Sequence, residues 1–301
     1  MKKITIVTVN YNTEKDTELF LESVKKLKIA NFSFETIVVD NGSTHKFTLP
    51  EKSNHVSLIR LMQNTGFTGG YNVGIKTALK NGADAVLIVN NDTLLDPDLL
   101  INLEKTLYSK ETIGLTVPKI YFAKGHEFHK NRYTKDELGR VFWYAGGTMD
   151  WNNVQSIHRG VDEVDHGQYD TIEPTDFASG CCMLIKREVF EDIGMFNNNY
   201  FLYYEDADLC MRIKQAKYMM YYVPQAVVYH VNASSSGGAG NSLQDYYLTR
   251  NQMLFGMRHA PIRSKLALYR QSLRLYLKGR PNQKRGIQDF YFGRFGKGNN
   301  L

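Results

Sequence analysis

Residues 87–100, LIVNNDTLLDPDLL, carry an apolar segment into two amides and a lone carboxylate, Asp92, before the chain turns polar. The segment Ala85-Val86-Leu87-Ile88-Val89 has the length and β-branched content of a strand covered on both faces. Asp96-Pro97 offers an N-cap and a first-turn proline, so a helix is expected within a few residues. Asp92 then sits on a short loop at the C-terminal end of a strand, the edge at which open α/β sheets bind ligands. The plainer alternative is a turn acid that caps local amides.

The surrounding sequence repeats this pattern. ITIVTVNYN (4–12), FETIVVDNGST (34–44) and HVSLIRL (55–61) read as strands. Residues 13–28, with Leu19, Phe20, Val24 and Leu27 at near-helical spacing, and GGYNVGIKTALKNGA (69–83), closed by Gly82, read as helices. Strand and helix in alternation predict a doubly wound, mostly parallel sheet. Asn10-Tyr11-Asn12, Asp40-Asn41-Gly42 and Asn90-Asn91-Asp92 should line one edge of it. Residues from about 123 to 145 are polar and read as a surface excursion; His126 and His129 within it have no evident third ligand for a metal. FASGCCMLIKREVFEDIGMF (177–196) gives a small-residue turn, a strand and a short helix. In FLYYEDADLCMRIKQAKY (201–218), Leu209, Ile213 and Ala216 form one helical stripe.

At 301 residues the chain can bury a sizeable core, and no apolar run reaches the length of a membrane span. Met1-Lys2-Lys3 leads straight into a strand rather than a leader segment, so a cytoplasmic location is expected. Cys181, Cys182 and Cys210 are read as reduced, packed side chains. Charge is uneven: twelve basic residues against Asp289 alone give residues 250–301 a net +11, which leaves −5 for residues 1–249 out of the total +6. The first strand runs into NYNTEKD without a glycine fingerprint, which argues against a dinucleotide oxidoreductase. The basic tail lacks a recognisable RNA- or DNA-binding motif, so no nucleic acid is expected as a partner.

VTVNYN, VVDNGST, NTGFTGGYNVGI, VNNDT, ASGCCMLIKREVFEDIGMF, YYEDADL, YHVNASSSGG and YYLTRN, in this order across residues 3–255, resemble an inverting glycosyltransferase of family 2 with the GT-A fold. The glycine-rich NTGFTGGYNVGI is most similar to enzymes that transfer rhamnose, related deoxysugars or furanoses. The resemblance implies a catalytic domain over 1–249, with a donor-binding half to about 110 and an acceptor half beyond it, followed by a basic helical extension over 250–301. It also implies a nucleoside-diphosphate sugar donor, a glycan or polyprenol-linked acceptor, and Mg²⁺ or Mn²⁺. Galactofuranose, N-acetylglucosamine and glucose stay open as alternatives to rhamnose, and a non-catalytic nucleotide-sugar-binding scaffold stays open as an alternative to an enzyme.

Residue roles follow from the same resemblance. Thr8, Asn10, Tyr11, Asp40, Asn64, Gly69, Gly70, Asn91 and Arg250 fall on the donor side. Asp40 can accept the imide N–H of uracil or thymine, or it can close an Asx turn before Gly42. Gly69-Gly70 permit close backbone approach to the donor. Arg250 can offset diphosphate charge or be packed. Asp92 occupies the last position of the family's acidic metal motif, with Asn90 and Asn91 where many relatives carry acids, and His230 resembles the histidine that completes the site. Inversion needs a carboxylate beside the acceptor hydroxyl. Asp206 matches that base, with Glu205 and Tyr204 beside the acceptor, while Asp208 points away from Asp206 and serves folding or a basic partner.

In the tail, Leu266, Tyr269, Leu273, Tyr276 and Leu277 share one helical side, flanked by Lys265, Arg270, Arg274 and Lys278. This pattern suits peripheral contact with an anionic membrane at the inner face of the cell, or packing on the catalytic domain or in a homodimer.

Overall fold

A computed structural model describes residues 1–49, 55–231 and 242–298. The chain runs through β1 (Lys2–Asn10), α1 (Glu14–Val24), β2 (Phe32–Asp40), β3 (Val56–Arg60), α2 (Gly66–Lys80), β4 (Ala85–Val89), β5 (Thr93–Leu95), α3 (Leu99–Leu107), β6 (Ile113–Phe122) and β7 (Phe142–Tyr144). It continues through β8 (Gly147–Asp150), β9 (Gln155–His158), β10 (Glu173–Pro174), β11 (Cys182–Lys186), α4 (Arg187–Ile193), α5 (Glu205–Gln215) and β12 (Met219–His230). Three helices close it: α6 (Ser242–His259), α7 (Ile262–Lys278) and α8 (Pro281–Tyr291).

The main sheet has the order β10-β12-β6-β11-β4-β1-β2-β3. β3, β2, β1 and β4 are parallel, as the alternation of strand and helix predicts. β11 then enters antiparallel between β4 and β6, and β12 returns parallel to β6. The doubly wound expectation therefore holds for the first half, and the second half is mixed. All five residues of β4 are buried, which is why its sequence is a continuous apolar run rather than an alternating one. Full burial of each Val, Leu or Ile there contributes about 1.5–3 kcal/mol. Gly74 lets α2 lie against β1, since a Cβ at that position would come within 2.3 Å of Val7 Cγ1.

Three expectations change. Asp96-Pro97 form the turn before a helix rather than its cap: the Asp96 carboxylate accepts the amide of Asp98, and the helix begins at Leu99. A short strand, β5, also intervenes, pairing antiparallel with the end of β12. Residues 123–145 are not all surface: Val141, Phe142 and Tyr144 are buried, β7 pairs with β6, and the buried Glu127 carboxylate accepts the amides of Gly125 and Gly139. His126 stays exposed, and His129 faces Asp162 at 3.6 Å rather than a metal cluster. Third, a domain limit at 249/250 falls inside α6, a helix that buries Tyr246, Tyr247, Arg250, Asn251, Met253, Leu254 and Phe255. The basic stretch begins partway along this helix.

Candidate functional site

The ends of β4 and β12 bring Asp92 and His230 together. Only 8% and 5% exposed, they stand with Oδ1 and Nε2 3.3 Å apart. Neither that carboxylate oxygen nor either ring nitrogen has a hydrogen-bond partner among the described residues. Buried polar atoms are rarely left so. One carboxylate oxygen and one imidazole nitrogen are a donor set that Mg²⁺ or Mn²⁺ accepts, so these residues fit the implied metal. Among the described residues no third His, Cys, Asp or Glu joins them, so the remaining ligands would come from amides, solvent or a bound diphosphate. The ASSSGG part of the motif that follows His230 lies outside the described residues.

The second pair is Glu205 and Asp206, the first two residues of α5. Asp206 Oδ2 accepts the Gly180 amide at 3.1 Å and Oδ1 the Ala207 amide at 2.8 Å, while the buried Glu205 Oε2 has no hydrogen-bond partner among the described residues. Burial, with the Asp206 charge alongside, pushes the Glu205 carboxyl well above its usual range. Burial raises Asp206 as well, against the backbone N–H groups that favour its charged form. Both line a cavity of about 440 Å³, together with His158, Phe177, Tyr203 and Tyr204 and, on the far side, Gln252, Gln271, Leu275 and Gln283.

Two bridges join the pairs. The turn before β11 presents Cys181 O to the Asn90 amide at the end of β4 and, one residue earlier, the Gly180 amide to Asp206. The Trp143 indole lies edge-on to His230 on one side and to His158 on the other, with ring centroids 4.8 and 4.5 Å apart. His158 Nδ1 faces the Trp143 carbonyl, which can only accept, so the ring donates from Nδ1 and Nε2 is left as an acceptor. Burial lowers the His158 pKa to about 4, which keeps it neutral at physiological pH.

A strand-edge pair with unmatched ligand atoms thus stands near a buried Glu205 and a half-buried Asp206. The family model described as "Glycosyltransferase like family 2" matches residues 2–244. The chain belongs to glycosyltransferase family 2. It is 42% identical over 247 residues to the N-acetylglucosaminyl-diphospho-decaprenol L-rhamnosyltransferase of Mycobacterium tuberculosis, covering 77% of each chain. It is 26% identical over 218 residues to the low-salt glycan biosynthesis hexosyltransferase Agl10 of Haloferax volcanii, over 70% of this chain and 62% of that protein. In fold it is similar to GalNAc-T7 solved with UDP, GalNAc and Mn²⁺, with a TM-score of 0.60 at 16% identity over 93% of this chain and 59% of that one. The chain thus spans about six-tenths of the length of these last two.

For a family 2 glycosyltransferase, several residues expected on the donor side are otherwise engaged. Asp40 is fully buried, and its carboxylate accepts from Asn10 Nδ2, the Ser43 hydroxyl and amide, the Phe47 amide and Arg60. Burial alone would raise its pKa, but these donors hold it below the usual range. No lone pair is left over for a base edge, so Asp40 organises the strand end, and Tyr11, half-exposed beside it, is the accessible group. Asn64 accepts the Gly66 amide and Asn91 donates to the Thr13 and Thr17 hydroxyls, both ordering turns rather than facing open space. Gly70 makes room for Val9 and Asn41, and Gly69 for Thr65, so both serve packing of α2. Thr8 is fully buried.

Arg250 departs furthest from expectation. It is fully buried, and its guanidinium donates to the carbonyls of Asn199, Tyr200 and Gly296. Neighbouring Asn251 donates to the carbonyls of Tyr200, Leu202 and Tyr203. All of these carbonyls but that of Gly296 belong to the segment leading into α5, where Phe201, Tyr203 and Tyr204 hold φ of +66°, +69° and +71°. Bulky side chains in that region carry strain of order 1–3 kcal/mol each. The YYLTRN motif therefore clamps a strained loop that aims Glu205 and Asp206, with the Arg250 guanidinium engaged by backbone carbonyls. His158 and Trp143 escaped sequence reading because they come from β9 and β7, in stretches with weak periodicity.

Proposed function

We propose that this chain transfers a hexose, rhamnose from a thymidine-diphosphate donor above all, to a glycan or polyprenol-linked acceptor with inversion at the anomeric carbon. The observation that carries the reading is the Glu205–Asp206 pair, which lines a cavity and is bridged to the Asp92–His230 pair by one turn and one indole. The similarity to a rhamnosyltransferase that names a decaprenol-linked acceptor supports both the sugar and the lipid carrier.

In this scheme the acceptor hydroxyl enters the cavity and hydrogen-bonds Asp206, whose charged form two backbone amides favour, while burial raises the neighbouring Glu205 carboxyl well above its usual range. The hydroxyl oxygen attacks the anomeric carbon, the bond to the diphosphate breaks with its electron pair leaving on phosphate oxygen, and the hydroxyl proton passes to Asp206. Asp92 and His230 would hold the divalent ion, which when bound offsets the charge of the departing diphosphate. His158 Nε2 accepts from a sugar hydroxyl. Tyr11, at the strand edge, offers its ring to the donor base. The acceptor's lipid carrier places the reaction at the cytoplasmic face of an anionic membrane.

Incubation with a panel of nucleotide sugars, detection of released diphosphate, and determination of the product's anomeric configuration test the scheme. Thymidine-diphosphate rhamnose is expected to turn over fastest, with inversion. Retention, or no turnover with any donor and acceptor, overturns it.

A further inference from the structure

α7 has two apolar sides. Gln271 and Leu275 on one side wall the cavity that holds Asp206, with Ser264, Leu268 and Ser272 buried beside them. On the opposite side Ile262, Leu266, Tyr269, Leu273, Tyr276 and Leu277 form a continuous stripe, and none is covered: they are between 47% and 74% exposed. Their spacing of three, four and one residues keeps them within about a third of the helix circumference. Tyr291, at the end of α8 and half-exposed, hydrogen-bonds Ser272 at 2.7 Å and extends the stripe, with Phe292 exposed just after it. An exposed apolar surface of this kind marks an interaction site.

Charge says what the site meets. α7 contains Arg263, Lys265, Arg270, Arg274 and Lys278 and no acid. Among the described residues none of these five has a carboxylate within salt-bridge distance, whereas Arg258, Arg280 and Arg294 all do. On the helix wheel Arg263, Arg270 and Arg274 border the stripe on one side and Lys265 on the other. A second copy brought face to face would set these unpaired cations against one another, but a surface of anionic headgroups over acyl chains satisfies both features at once. No helix among the described residues is long and apolar enough to cross a membrane.

We infer that α7 lies in the plane of an anionic lipid surface, with Leu266, Tyr269, Leu273, Tyr276 and Leu277 in the headgroup boundary, and thereby sets the mouth of the catalytic cavity beside the membrane. The inference rests on the proposed function for its purpose, a lipid-carried acceptor, but not for its test. One helix is both the lipid-facing surface and the cavity wall, so the distance from lipid to Asp206 is fixed by the helix diameter rather than by a linker.

The test is co-sedimentation of the full chain with vesicles of phosphatidylcholine alone or mixed with phosphatidylglycerol, at low and high salt. Binding to the mixed vesicles only, weakened by salt, is expected. Arg270→Gln with Arg274→Gln should lower the partition coefficient roughly 25-fold, about five-fold per charge. Leu273→Ser with Tyr276→Ser should lower it at least about ten-fold, with melting temperature unchanged because both side chains are exposed. Equal binding to neutral vesicles, no binding at low salt, or a dimer in solution that the Leu273→Ser/Tyr276→Ser variant dissociates would overturn the inference. Turnover with a short water-soluble acceptor is measured in parallel. Turnover without vesicle binding sinks only the docking face, and vesicle binding without turnover sinks only the catalytic reading.

Discussion

Asp206 and Asp208 stand two residues apart in the first turn of α5, Asp208 fully buried and Asp206 half-buried at a cavity, and they live in opposite environments. Asp208 accepts from the Tyr200 hydroxyl, Arg212 and His259 Nε2, with Arg258 at 3.7 Å. Burial would raise its pKa, but the His259 hydrogen bond and the Arg212 pairing outweigh it and hold the carboxyl below its usual range. Asp206 has two backbone amides for company, a neighbouring carboxyl with a bare oxygen, and a cavity in front of it. Folding alone has no use for Asp206 and Glu205 side by side, because burying two coupled carboxyls costs stability. The same contrast separates Asp92 with His230, whose ligand atoms are unmatched, from Asp40 and Arg250, whose bonding capacity is filled. On the proposed reading, function sits where bonding is incomplete.

The sharpest break of the comparison is Asp206→Asn. Turnover should fall about 10²- to 10⁴-fold with donor affinity and melting temperature nearly unchanged; steady-state kinetics and donor titration check it, and near-normal turnover removes Asp206 from the chemistry. Asp208→Asn should do the reverse. Leaving its cationic neighbours unpaired should cost on the order of 3–5 kcal/mol of stability, while the folded fraction keeps its turnover number. Because the folded pKa of Asp208 is depressed, its contribution is present above the ordinary carboxylate range and is lost as pH falls through the folded value. Denaturation of parent and variant should therefore converge in acid.

A smaller effect is expected at the strand edge. Asp92→Asn or His230→Ala should raise the Mn²⁺ concentration needed for half-maximal activity by roughly ten-fold or more, comparable to losses from perturbing metal sites. Undiminished turnover in excess chelator would detach this pair from a metal. The last test is Glu205→Gln, read by thermal melts across pH. The folded Glu205 pKa is raised, so its native state holds a proton that the unfolded chain releases, and stability declines as pH climbs from the ordinary carboxylate range through the raised value. The slope for one proton is about 1.4 kcal/mol per pH unit. The variant should lack it, gaining on the parent at alkaline pH; parallel curves would show that Glu205 ionises freely.

Sequence by itself determined the elements whose signal is local. The buried run of β4, the strand–helix alternation, the α5 start at Glu205 and the α7 stripe each follow from periodicity and from residue types within a few positions. It also marked Asp92, His230, Glu205 and Asp206 through ordered motifs. Which marked residues remain available was decided by tertiary structure, because hydrogen-bond saturation depends on partners far along the chain. Asp40 is filled by Arg60, twenty residues on, and Arg250 by carbonyls near residue 200 and at Gly296. The same holds for exposure: a helical stripe has a period but no address, and only the packing of Leu268 and Leu275 inward left Leu273 and Tyr276 facing solvent.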